Sequence, residues 1–109
     1  MSSMRERLEA QLQIGNDSAL LRLSLGQLLA GEGDFLAAIE HLKRALLLDT
    51  QYSAAWNALG RAYALAGESE RALVTFQSGI NQAKKHGDKQ AERQMSVFLS
   101  RLQQGKPLK

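Results

Sequence analysis

Laid over itself so that position 19 falls on position 53, the chain repeats without a gap. Comparing 19–52 with 53–86 puts Leu25 on Leu59, Gly26 on Gly60, Ala30 on Ala64, Gly33 on Gly67 and Ala38 on Ala72. Ile39 on Leu73, Leu42 on Phe76, Ala45 on Gly79 and Asp34 on Glu68 are similar pairs. An internal period of this length is the mark of a chain built from one supersecondary unit used more than once. The shared residues are mostly small or apolar, the types needed where two helices come close.

Apolar spacing of three and four residues predicts six helices, over about 3–14, 18–30, 35–48, 53–66, 69–86 and 88–104. Met4, Leu8 and Leu12 make one stripe, Leu21, Leu25, Leu28 and Leu29 a second, and Ala91, Met95, Phe98, Leu99 and Leu102 the last. Between the helices stand turn residues. Gly15-Asn16-Asp17 ends the first helix and offers a cap to the next, Asp34 is an N-cap, and Asp88 opens the sixth helix. Gly105-Lys106-Pro107 stops that helix, and the tail beyond it is expected to be mobile. A single proline and few β-branched residues favour helix throughout.

The stretch Trp56-x-x-Leu59-Gly60-x-x-Tyr63-x-x-x-Gly67, followed by Ala72 and Phe76, carries the intervals of the tetratricopeptide signature. The chain therefore resembles the tetratricopeptide-repeat (TPR) family. The resemblance covers 19–86 and is much more specific for fold than for ligand. It departs from the pattern in the first repeat, where Arg22 replaces the Trp and Leu29 the Tyr, and in the Leu48-Asp49-Thr50 linker, where the family's usual proline is missing.

The resemblance implies an all-α helical solenoid, a right-handed superhelix of antiparallel helices. In one TPR domain over 1–109, a leading helix (1–18) precedes repeats at 19–52 and 53–86, a capping helix (87–104) and a tail (105–109). In the last helix Arg93 and Gln94 replace the Leu-Gly pair, which marks it as a cap. The expected core is Leu25, Leu28, Leu29, Ala38, Leu42, Trp56, Leu59, Tyr63, Ala72, Phe76, Phe98 and Leu102.

Nothing in the chain supports catalysis. The two histidines, His41 and His86, lack metal-ligand spacing, and no phosphate-binding glycine loop follows a strand. With no cysteine, thiolate metal sites are impossible, and neither cofactor nor metal is expected. No apolar run approaches the ~20 residues of a membrane span, so a cytoplasmic, non-membrane protein is expected.

The family resemblance instead implies a concave groove that binds a protein or peptide ligand. Residues at groove-facing positions are Leu20, Leu23, Gln27 and Ala30 in the first repeat and Ala54, Asn57, Arg61 and Ala64 in the second. Asn57 and Arg61, one turn apart, can reach a single ligand. The amide suits a peptide backbone and the guanidinium a carboxylate, while Leu20 and Leu23 supply an apolar end. The clamp with which some TPR proteins grip acidic chaperone tails is not expected, because its matching positions hold Leu23, Gln27, Ala58, Asp88 and Glu92.

Two other readings compete. Residues 1–54 carry five Lys/Arg against seven Asp/Glu, and 55–109 nine against four. Lys84, Lys85, His86, Lys89, Arg93 and Arg101 could therefore attract nucleic acid or an acidic partner, although aromatics for base stacking are missing. Two repeats are also few for a stable stack, which leaves room for a self-associating subunit, so a monomer or weak homodimer is expected.

Overall fold

The computed structural model describes residues 3–108. It holds six helices: α1 (Met4–Gln13), α2 (Ala19–Gly31), α3 (Phe35–Leu48), α4 (Ser53–Leu65), α5 (Ser69–His86) and α6 (Lys89–Gln103). Their bounds agree closely with the sequence-based ranges, because caps and turn glycines set the ends. Ser3 forms a capping box with Glu6, and Asp34 and Asp88 accept from the amides of Ala37 and Ala91. One cap differs from expectation. Ser18, not the Gly15–Asp17 turn, caps α2 by accepting from Leu21 N at 3.1 Å. This leaves the Asp17 carboxylate for Arg22.

The internal repeat is visible atom by atom at the turns. Gly33 and Gly67 take φ of +84° and +83°. In each case the next amide closes back on the helix, from Asp34 N to Leu29 O and from Glu68 N to Tyr63 O, both at 2.9 Å.

Consecutive helices pack on one another from α1 through α6, and in addition α2 touches α4 and α4 touches α6. The odd-numbered helices make no such contacts among themselves. The even row is thus drawn together while the odd row splays, which makes the even row the inner, concave side of an arc measuring 43 × 28 × 19 Å.

The core runs between the rows. Leu25, Leu29, Ala38, Leu42, Leu59, Tyr63, Ala72 and Phe76 are buried as expected, and Ile39, Ala55, Ile80, Ala83 and Met95 join them. Leu28, Trp56, Phe98 and Leu102 are only half-buried. Trp56 lies over Gly79, where α4, α5 and α6 converge, and its indole N–H donates to Thr50 O at 2.7 Å. It therefore pins the α3–α4 linker as well as filling space. The tail also departs from expectation. Lys106 N donates to Arg101 O at 2.8 Å, Arg101 donates to Pro107 O at 3.3 Å, and Leu108 packs against the core.

Candidate functional site

The inner row encloses a groove of about 590 Å³. Its floor is made of small residues, Gly26, Ala30, Ala54, Ala58, Ala62 and Ala91, which let a ligand backbone approach the helices. Its polar rim is mostly amide: Gln27 on α2, Asn57 on α4, and Gln90 and Gln94 on α6. Ser53, the cation Arg61 and the anion Asp88 complete it.

Asn57 and Arg61 differ in environment although one turn separates them. The Asn57 Oδ1 atom is buried and has no hydrogen-bond partner among the described residues. A buried acceptor left this way costs about 1–3 kcal/mol unless a donor reaches it. Arg61 is exposed, with its guanidinium 5.3 Å from the centroid of the Phe98 ring. That contact orients the fork without using its N–H donors. Among the described residues Arg61 has no carboxylate within ion-pair distance. Asp88 is partly committed, since its Oδ1 caps α6.

Of the expected groove residues, Gln27, Ala30, Ala54, Asn57 and Arg61 converge on this concavity. Leu20 and Leu23 do not. Leu23 is 6% exposed and belongs to the core cluster that includes Ile39, Leu46 and Ala55, because α4 closes over that part of α2. Leu20 is 65% exposed and lies outside the groove. Ala64 is also absent from the lining, and Leu65 takes part instead.

On the α6 wall the sequence pointed to Asp88 and Glu92 through the clamp positions. Asp88 lines the groove and Glu92 does not, while Gln90 and Gln94 went unread. The repeat register gives a partial signal: Ala54 and Asn57 lead, one repeat on, to Asp88 and Ala91, which both line the groove. Arg61 leads to Met95, which is fully buried, and its neighbour Gln94 faces the groove instead. The basic residues Lys84, Lys85, His86, Lys89 and Arg93 are exposed at the α5–α6 end, while Arg101 is half-buried and engaged by the tail.

The tetratricopeptide-repeat family model matches residues 29–92, more than half of the chain. The chain belongs to the tetratricopeptide-repeat family. It is 46% identical over 99 residues to the TPR repeat-containing protein PA0015 of Pseudomonas aeruginosa, a match that covers 91% of this chain and 94% of that one. It is also similar to protein BPP2914 from Bordetella parapertussis, known from a solution structure. There the TM-score is 0.86 at 40% identity, over 96% of this chain and 91% of that one. TPR domains generally serve protein–protein interaction and are typically non-catalytic. Among the described residues no helix is long and apolar enough to cross a membrane.

Proposed function

We propose that this protein is a non-catalytic interaction module that takes an extended segment of a partner protein in the groove of α2, α4 and α6. The convergence of Gln27, Asn57, Arg61, Gln90 and Gln94 on one groove floored by small residues carries this reading. The side-chain amide of Asn57 can accept from and donate to a ligand backbone once it turns about χ2 and brings Oδ1 out of its buried position, and the alanine and glycine floor leaves room for that backbone. Arg61 stands one turn away to take a carboxylate or carbonyl of the same segment, and Gln27 faces them from α2.

The counterpart of Asn57 in the first helix pair strengthens the case. It is Leu23, which is buried in the core. The same backbone position thus accepts an apolar side chain, and a polar one at the groove has no structural necessity.

Affinity capture with the wild type and with Asn57→Ala/Arg61→Glu tests the proposal. Partners bound by the wild type and lost by the variant support the groove as the site. Partners held equally by both refute it and move binding to the basic α5–α6 end or the outer row. Nucleic acid that elutes at high salt would favour the basic end.

A further inference from the structure

Away from the groove, charged side chains crowd the corner where α1 passes into α2. Arg22 Nε and Nη2 donate to the two carboxylate oxygens of Asp17 at 2.8 and 3.0 Å. Arg22 Nη1 stands 3.0 Å from His41 Nδ1 on α3. A guanidinium offers only N–H donors and does not give up its proton. His41 Nδ1 must therefore be the acceptor, and the ring is neutral with its proton on Nε2.

Other charges face the imidazole. Glu9 and Arg5 approach from α1, and Asp17 from the corner. Arg44 on α3 lies 3.7 Å from the second Asp17 oxygen. Arg5 in turn reaches Glu32, just beyond α2, at 3.5 Å.

Helix α1 runs directly into this corner. No residue of α1 is buried, and it packs against α2 and no other helix. Helices α2 to α6 each contribute at least one side chain to the core. We propose that Asp17, Arg22 and His41 form a pH-sensitive latch, which a neutral His41 closes by fastening the α1–α2 corner to α3 and which protonation opens, loosening α1.

The chemistry of opening is direct. A protonated Nδ1 points an N–H at a guanidinium N–H and sets two like charges about one hydrogen-bond length apart. Glu9 and Asp17 attract the imidazolium, but burial and Arg22 oppose it, burial more strongly, and the balance holds His41 below the ordinary imidazole value.

The second helix pair is an internal control. One repeat on, Arg22 becomes Trp56 and His41 becomes Thr75. Trp56 donates to Thr50 O and Thr75 to Arg71 O, so nothing at either position titrates near neutrality. The device belongs to the first pair alone.

Amide hydrogen exchange on the intact chain, corrected for intrinsic rates, tests the latch at about pH 7.5 and again below the pH at which the His41 ring is seen to titrate. In the wild type, protection across residues 7–22 should fall roughly threefold to tenfold at the lower pH, the worth of one net hydrogen bond, while α4 and α5 hold theirs. In His41→Asn, whose Oδ1 takes the place of Nδ1 and accepts at either pH, the fall should vanish. No fall in the wild type, or an equal fall in the variant, overturns the proposal. A readout on the unmodified protein stands beside it. The His41 ring nitrogens should report an unprotonated Nδ1 and titrate below about 6.5. A protonated Nδ1 at neutral pH, or titration at or above that value, also overturns it.

Discussion

Gly60 on α4 faces the ring of Phe76 on α5 so closely that a Cβ on the glycine would stand 2.5 Å from Phe76 Cε1. Gly26 stands in the same relation to Leu42, 2.5 Å from its Cγ, one repeat earlier. In both pairs the partner side chain is fully buried and has little room to yield. Helix propensity alone would favour Gly60→Ala by about 1 kcal/mol. Overpacking a filled core costs about 1–3 kcal/mol, and an ideal Cβ here overlaps three ring carbons, so the steric term wins. Gly60→Ala should lower the denaturation midpoint, and Gly60→Leu should force α4 and α5 apart and lower it much further. An unchanged midpoint for Gly60→Leu would show that the close approach is not what fixes the pair.

Gly31 gives the opposite sign. It ends α2 with no atom within 4 Å of an added Cβ, and its φ is not positive. With neither crowding nor a left-handed backbone to protect, Gly31→Ala should stabilise by about 0.4–1 kcal/mol, mainly by restricting the unfolded chain. Paired urea melts of Gly31→Ala and Gly60→Ala should shift in opposite directions.

These glycines show why the fold was legible in the sequence. Close approach demands a missing side chain, and the demand recurs once in each repeat, so Gly26 and Gly60 announce the helix pairs before any coordinates. Capping residues and turn glycines announce the ends in the same way. The groove was harder to read because repeat position does not fix burial. Leu23 and Asn57 share a position, yet α4 covers the first while the second borders the groove. Gln94 lay beyond the pattern because α6 buries Met95 at the position where α4 exposes Arg61. The latch had no sequence signal either, since Asp17, Arg22 and His41 come from three segments that only the packing of α2 on α3 brings together.

The same corner fixes the sign of a pH dependence. His41 titrates below its ordinary value in the folded chain because burial and Arg22 disfavour its charge. Its contribution is therefore fully present above the unfolded value of about 6.5 and is lost as pH falls through the folded value. Asp17 is also lowered, first by its hydrogen bond from Arg22 and then by the charges of Arg22 and Arg44, so its contribution goes only at pH below 3.8. The His41 loss begins below about pH 6.5 and the Asp17 loss only below pH 3.8. Denaturation midpoints should decline on acidification below about pH 6.5, and His41→Asn should remove that part of the decline. A midpoint that rises over this interval would reverse the assignment.

The folded-back tail is a further test of what closes the C-terminal end. Leu108 is half-buried against the core, and Arg101 holds Pro107 O. Complete burial of a leucine is worth about 1.5–3 kcal/mol, so the partial burial here should contribute about 1 kcal/mol. Leu108→Ser should lower stability by about that amount and raise amide exchange in the last turn of α6. Equal stability of the two proteins would mean that the tail adds nothing to the cap.

Asn57 is where stability and function should part. Its buried Oδ1 lacks a donor among the described residues, and Leu23 shows that leucine suits the equivalent position of the first helix pair. Replacing an unsatisfied buried acceptor with an apolar group of similar volume removes a desolvation cost without opening a cavity. Asn57→Leu should therefore stabilise the chain by about 1 kcal/mol in urea denaturation. If the groove binds a peptide backbone through this amide, the same variant should bind its partner at least tenfold more weakly, about 1.4 kcal/mol, in calorimetric titration. The opposed signs matter because a residue kept for packing would lose both properties together. A variant that is more stable and binds as well as the wild type would remove Asn57 from the site and leave Arg61 and the glutamines to account for recognition.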